Sequence, residues 1–396
     1  MVCITIGFLC GKTTIRRSLN WCRDNLEWLR QHMELKYGIA SLSTISRMLS
    51  GIDEELALYA FMEWIGEIAD SKNTHLAIDG KALRGATEKT KSAAAPMILN
   101  AVETARGLVL AQLPIGSKTN EITAIPELLK LLDISGSIVT TDAIGTQTAI
   151  MEQIHEQEGH FVLEVKKNQP EACEEIHRIM EKLETETSKK EKAESRDPVL
   201  REYAKKYEKV SHTEKNRDRY EYRTYQICND ASELTKSQEE WAHVRSIGRI
   251  KQVRVPVEKD NQGNDITPSL EEFLKKGSRR CPVPSAAEGR GREIQCTAMI
   301  SDLILTAEEL GNIKRMHWSI ENRLHHVLDD TFREDRSPAK KSRNNLALIR
   351  KYAYNILRLA MLETGITNIM TEMMDCFCSK AALREQYVFK GIAGLY

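Results

Sequence analysis

The sequence predicts an α/β fold in which a mixed sheet is flanked by helices. Three features predict it. Helical periodicity fills the chain before residue 74, short apolar runs of strand length take over there, and such runs alternate with helical stretches up to residue 166.

Residues 13 to 70 have helical spacing. Leu26, Leu29 and Met33 recur on one face, as do Leu56, Tyr59, Ala60 and Trp64, and Gly38 with the Ser/Thr group 41–46 supplies a break and an N-cap between them. This defines an N-terminal helical module over 1–73. Its Ser-x-Ser-Thr-x-Ser-Arg stretch either presents Arg47 to a phosphate backbone, as in a helix-turn-helix, or belongs to a purely structural bundle. Strands are then expected at HLAID (75–79), MILNAVE (97–103) and LVLAQLP (108–114), the last two joined by a tight Ala-Arg-Gly turn. A helix (121–133), a strand ending in SIVTTD (137–142), a helix (146–157) and a strand (160–166) follow. The order β-β-β-α-β-α-β is that of a ribonuclease H-like core, whose first part is assigned to 74–169.

Residues 170–296 read as an insertion, largely β. A charge-dense helix runs over 170–200, strands over 220–228 and 243–257, and a flexible loop over 258–292, where Pro268, Pro282, Pro284, Gly289 and Gly291 gather. A strand (297–305), a long helix (306–330) and a second helix (338–363) complete the core over 297–365. The remainder, 366–396, is a C-terminal tail.

Composition narrows the classes. Lys plus Arg equal Asp plus Glu, 57 each, so no global field draws the chain to nucleic acid and only local patches can do so. Nine cysteines without a C-x-x-C pair, the nearest approach being Cys376-Phe-Cys378, fit neither a zinc ribbon nor a disulfide framework and point to reduced thiols in a cytoplasm. The opening MVCITIGFLC lacks the basic start and cleavage pattern of a signal peptide and reads as the end of a buried helix. No run reaches the roughly 18 apolar residues of a membrane span, so a cytoplasmic chain is expected. Gly7-Phe-Leu-Cys-Gly11-Lys12-Thr13-Thr14 resembles the phosphate loop of a P-loop NTPase. Its glycines, however, have three residues between them where that loop needs four, which spoils the ring of amides.

The chemistry is sought in acids. Asp79 ends an apolar strand and Asp142 ends another, where catalytic ligands of α/β folds tend to sit. In the ribonuclease H-like order these strands are neighbours, and two close carboxylates need a cation between them. The third acid is sought on HWSIENRLHHVLDDTFRED, where Glu321 shares a helical face with His317, Leu324 and His325. Asp79, Asp142 and Glu321 would then hold two Mg²⁺ ions about 3.5 to 4 Å apart, with Mn²⁺ as a substitute, for phosphodiester chemistry. The same helix also permits a His317/Glu321/His325 zinc site or a solvated face, and Asp329, Asp330, Glu334 and Asp335 are rival acids.

The blocks HLAIDGKALRGA, NEITAIPELLKLLDISGSIVTTDAIGTQ, FVLEVKKNQP and HWSIENRLHHVLDDTFREDRS resemble the successive signatures of bacterial insertion-sequence transposases of the ISAs type, the H-repeat-associated family, over about residues 15 to 365. The resemblance implies a ribonuclease H-like DDE domain. It also implies Mg²⁺-dependent DNA cleavage and strand transfer, and recognition of terminal inverted repeats and target DNA. Asp79, Asp142 and Glu321 fall on its motif acids. The chain departs from the pattern in an abbreviated start and a long loop at 258–292. His317 and Leu328 also stand where the wider group of β-inserted DDE enzymes has Arg and Lys. Between Arg333 and Arg358 eight cations face only Glu334 and Asp335. Arg336, Lys340, Lys341 and Arg343 are therefore expected to hold double-stranded DNA, with Lys81, Arg84, Lys166 and Lys167 near the strand ends adding to that surface. Cutting two DNA ends in concert points to a homodimer on DNA, nucleoid-associated when bound. The alternative is a DNA-binding relative that has lost catalysis.

Overall fold

The computed structural model describes residues 1–86, 95–115, 120–191, 205–216, 219–259, 262, 265–266 and 293–390. The chain divides into two compact units, Met1–Ser137 with Met316–Tyr396, and Ile138–Arg315. The first begins with helices α1 (Val2–Leu9), α2 (Ile15–Asp24), α3 (Leu26–Leu29), α4 (Leu42–Gly51) and α5 (Glu54–Gly66). The apolar opening run is itself α1, with Ile4, Ile6, Phe8 and Leu9 no more than 1% exposed. Gly7 lies in that helix at its contact with α2, where an added Cβ would stand 2.2 Å from the Cβ of Ser18. A glycine used for helix–helix approach leaves no phosphate loop at residues 7–14. Side-chain oxygens of Thr14, Ser41 and Asp53 accept from backbone N–H groups and start α2, α4 and α5. Among the described residues no helix is long and apolar enough to cross a membrane.

The first unit continues with β1 (His75–Ala82), β2 (Met97–Glu103) and β3 (Leu108–Ile115), an antiparallel ladder in the order β3-β2-β1. β1 extends three residues beyond the expected end at Asp79, because Gly80, Lys81 and Ala82 stay paired with Leu99, Ile98 and Met97. The helix α6 (Glu121–Lys130) starts at a capping box in which Asn120 and Thr123 satisfy each other's backbone N–H.

The second unit holds β4 (Ile138–Thr141), α7 (Thr148–Glu156), β5 (His160–Val165), α8 (Pro170–Glu191), β6 (Tyr207–Asn216), β7 (Arg219–Cys228), α9 (Thr235–Glu239), β8 (Ser246–Pro256), the short β9 (Glu258–Lys259) and β10 (Asp265–Ile266), and β11 (Glu293–Ser301). Within it the order is β4-β5-β11-β8-β7-β6, with β4 and β5 parallel and the other neighbours antiparallel. This is a mixed sheet with α8 packed against it. β6 was not foreseen, since Tyr207 and Val210 are its only apolar or aromatic residues and give no strand alternation, and it lies at the end of the ladder. Most of the predicted loop at 258–292, namely 267–292, lies outside the described residues. Cys296 is disulfide-bonded, against the expectation of reduced thiols throughout. The next helix, α10 (Ala307–Ile320), starts in this unit, where Leu310 and Ile313 join Val162, Tyr225, Ile250 and Met299 in one core. Gly311 permits that contact, since an added Cβ would meet the Tyr225 ring at 2.8 Å.

Across this sheet Glu184 of α8 accepts from Arg249 (2.9 Å), Lys251 (2.6 Å) and Lys209 (2.8 Å). Burial pushes its carboxyl up, but the hydrogen bonds and charges of Lys209 and Lys251 outweigh burial and hold it down at about 2. A carboxylate depressed on folding stabilises the native state above its unfolded value, and that contribution disappears as pH falls from about 4.5 toward 2. Allowing for partial exposure it amounts to about 2–3 kcal/mol at neutral pH. Glu184→Gln is therefore expected to lower the urea midpoint at pH 7. The gap from wild type should narrow at pH 3, and equal gaps at both pH values would refute the assignment.

The unit boundary falls within α10, and from Met316 the chain belongs to the first unit again. The predicted straight helix to residue 330 instead widens into π-helical turns at Glu321–His325 and Val327–Thr331. A 3₁₀ turn (Glu334–Arg336), α11 (Arg343–Thr364), α12 (Met370–Ser379), α13 (Ala381–Arg384) and a π-helical turn at Glu385–Phe389 follow. One polar stripe of α11 is bound along β3 and its turn. Lys351 donates to Gln112 (2.6 Å), the Tyr354 hydroxyl to the carbonyl of Gly107 (3.0 Å), and the Arg358 guanidinium to the carbonyl of Arg106 (2.7 Å). Asn355 both donates to the Val109 carbonyl and accepts from the Val109 N–H. Burial brings the Lys351 ammonium down to about 8. Gly365 ends α11 at φ +60°. The expected C-terminal tail is partly helix. Phe377 and Tyr387 are buried, and the Arg384 guanidinium sits 5.2 Å and 4.6 Å from the rings of Trp21 and Trp28.

Candidate metal centre

Asp79 stands where β1 passes from four buried residues to a half-buried stretch, and its side chain is 13% exposed. One carboxylate oxygen accepts from the N–H of Gly80 at 2.9 Å, and the other lies 3.4 Å from Nδ1 of His325. The Glu121 side chain, at the start of α6, reaches over Gly80, where an added Cβ would stand 2.2 Å from its carboxylate oxygen and push it aside. Glu321 and His325 belong to the same π-helical turn, the first exposed and the second buried. Single ligand atoms of Asp79, Glu321 and His325 all lie within 4.8 Å of one another. Ligands of a divalent ion bound at roughly 2.1 Å stand up to about 4.2 Å apart, so small side-chain movements convert this group into a coordination set. Two carboxylates and an imidazole are donors that Mg²⁺ and Mn²⁺ accept, the nitrogen favouring Mn²⁺. The residues fit a divalent cation.

Three of the four rival acids have another role. The Lys81 ammonium, only 5% exposed, contacts the Asp329 carboxylate and lies 3.8 Å and 3.9 Å from those of Glu334 and Asp335. Burial raises the Asp329 carboxyl and the Lys81 contact opposes it. Glu334 also faces Arg350 at 3.6 Å. These acids surround an internal cation, so Lys81 is not the surface DNA contact its position beside Asp79 implied. His317 is buried and stands outside the ligand group, which removes the His317/Glu321/His325 zinc reading. Burial, with the charge of His317, holds the neighbouring His75 imidazole down at about 3 and keeps it neutral.

Asp142 belongs to the second unit. It is exposed, directly follows β4, and precedes a 3₁₀ turn over Ala143–Gly145. Asn168 fixes that turn by donating to the Ala143 carbonyl at 2.6 Å, and Thr146 fixes it by donating to the carbonyl of Glu164 at 2.6 Å.

The sequence profile described as "Transposase DDE domain" matches residues 70–356, well over half of the chain, and the DDE_Tnp_1-associated region matches residues 1–65. The chain belongs to the DDE transposase family. Two similar proteins come from Escherichia coli K12. "Putative protein YbfL" is 30% identical over 93% of this chain and 85% of its own, and "H repeat-associated putative transposase YhhI" is 30% identical over the same shares. Among solved structures, a piggyBac transposase synaptic complex with hairpin DNA covers 96% of this chain and 81% of that one. Its identity is 9% and its TM-score 0.37, a likeness too slight to build on.

The transposase places its other predicted residues unevenly. Arg84, Lys167, Arg336, Lys340 and Lys341 are exposed and Arg343 is half-buried. Lys166 is exposed but pairs with Glu164, which is itself buried against Lys314. Arg350 and Lys351, counted in the positive segment, are 3% and 1% exposed, and Arg358 is bound to the turn before β3. The sequence placed His325 on the face of Glu321 but not against Asp79. It gave Glu121 no role, although NEI stands in a signature block.

Proposed function

We propose that the transposase performs metal-dependent cleavage and strand transfer of double-stranded DNA at the terminal inverted repeats of its element, on a ribonuclease H-like core. The observation that carries this is the convergence of Asp79, Glu321 and His325 on one potential cation position in a chain of this family. Asp142 takes the role of the second motif acid on its sequence block and its exposed place after β4. Bound there, two Mg²⁺ ions, or Mn²⁺ in their place, supply activation of a water or 3′ hydroxyl and steady the leaving oxygen. The protein's own part is to hold those carboxylates. Asp79 is oriented by the Gly80 N–H and by His325, and Glu321 by the wide turn that carries it. The exposed Arg84, Lys166, Lys167, Arg336, Lys340 and Lys341, with Arg343, are proposed to contact phosphates of the element ends and of target DNA. Two ends cut together call for two copies of the chain on one DNA.

The test uses the full chain and a duplex carrying the element's end. Strand cleavage at the end with Mg²⁺ or Mn²⁺, abolished by chelation, is expected. Specific binding without cleavage under either ion would instead make this a DNA-binding relative without catalysis.

A further inference from the structure

The first unit contains a cavity of about 800 Å³ whose lining includes none of the metal-ligating residues. Its walls come from the start of α2, one face of α4, and the segment between Arg333 and Ser342. Among the described residues, seven cationic side chains line it and no carboxylate does. Arg350 faces Glu334, whereas Arg16, Arg17, Arg333, Arg336, Lys340 and Lys341 are exposed and, among the described residues, have no ion-pair partner. Six exposed like charges around one concavity give it a positive potential that attracts an anion.

The rest of the lining says which anion. Hydroxyls of Thr13, Thr14, Ser46, Ser50, Ser337 and Ser342 line it together with the cations, over an aliphatic floor that includes Ile15, Leu42 and Leu346, and the Thr13 oxygen is buried without a hydrogen-bond partner. No aromatic side chain is among the described lining residues, so these offer bases nothing to stack on. Cations and hydroxyls without aromatic platforms are the chemistry of phosphate contact, which positions DNA without reading it. α2 begins here too, and its N-terminal end adds partial positive charge. Arg47, the helix-turn-helix candidate, does not line the cavity, although Ser46 beside it does.

We propose that this cavity is a sequence-independent seat for the phosphate backbone of duplex DNA, in which Arg16 and Arg17 of the N-terminal helices act together with Arg333, Arg336, Lys340 and Lys341. The proposal rests on the reading of the chain as a DNA-acting transposase and adds the N-terminal helices to its DNA surface.

The test is fluorescence anisotropy of two duplexes of unrelated sequence, titrated with the full chain without divalent metal across a salt series. Arg16→Ala/Arg17→Ala and, separately, Lys340→Ala/Lys341→Ala are each expected to weaken both duplexes equally, by about tenfold. Each should also flatten the plot of log affinity against log salt by roughly 0.9 per lost phosphate contact. Arg47→Ala should leave the slope unchanged. Double variants that melt like wild type and keep its slope overturn the proposal, as does a loss confined to one sequence. So does ATP binding that depends on Arg16 and Arg17 while duplex affinity is unmoved. A wild-type chain that binds no duplex at all is a different failure, since it removes the DNA reading itself.

Discussion

Asp79→Asn is expected to lower metal-dependent cleavage by about a thousandfold or more while the protein melts within a few degrees of wild type. The substitution keeps the side chain's volume and an oxygen for the Gly80 N–H, but removes the negative charge that lies 3.4 Å from His325 and within 4.8 Å of a Glu321 oxygen. Charge stabilisation by a bound ion is worth several kcal/mol in the transition state, and about 4 kcal/mol corresponds to that thousandfold. Glu321→Gln should behave alike, and both should leave DNA affinity measured without metal unchanged. Full cleavage by Glu321→Gln, together with its loss in a well-folded Asp329→Asn, would transfer the third-acid role to Asp329 and sink the present site.

The largest effect on stability is expected at Lys81. Lys81→Met leaves Asp329, Glu334 and Asp335 gathered round an ammonium that is no longer there, with Glu334 itself only 3% exposed. Removing one partner of a buried ionic group costs about 3–5 kcal/mol, against less than about 0.5 kcal/mol for an ordinary surface lysine. Urea denaturation separates the two. A midpoint equal to wild type, joined to weaker DNA binding, would return Lys81 to the surface role its sequence position implied.

Much of the fold was legible because its strands are apolar runs closed by turn residues, as in HLAID, MILNAVE and LVLAQLP. What was missed follows from interactions that local pattern does not encode. Gly80 to Ala82 have little strand propensity of their own, and pairing with β2 keeps them in the ladder. β6 has no apolar alternation, and its backbone bonds to β7 make it a strand. Residue spacing assigned Glu321 and His325 to a regular helix and could not tell it from a π-helical turn. The basic residues of α11 read as solvent-facing, yet Lys351 and Arg358 reach a glutamine side chain and a backbone carbonyl along β3 and its turn. At the site, both acids of the first unit were legible as motif residues. The contact of His325 with Asp79, and the approach of Glu121 to Gly80, depend on tertiary placement.

The double hydrogen bond between Asn355 and Val109 has a bearing on self-association. A terminal strand with unfilled donors and acceptors recruits strands from other molecules. In β3 the carboxamide of a helix residue fills both groups of Val109, so the outer margin of this ladder offers a poor template there for intermolecular β-pairing. Any association between copies of the chain is thus steered toward contacts through side chains, and away from sheet extension at that point of the margin.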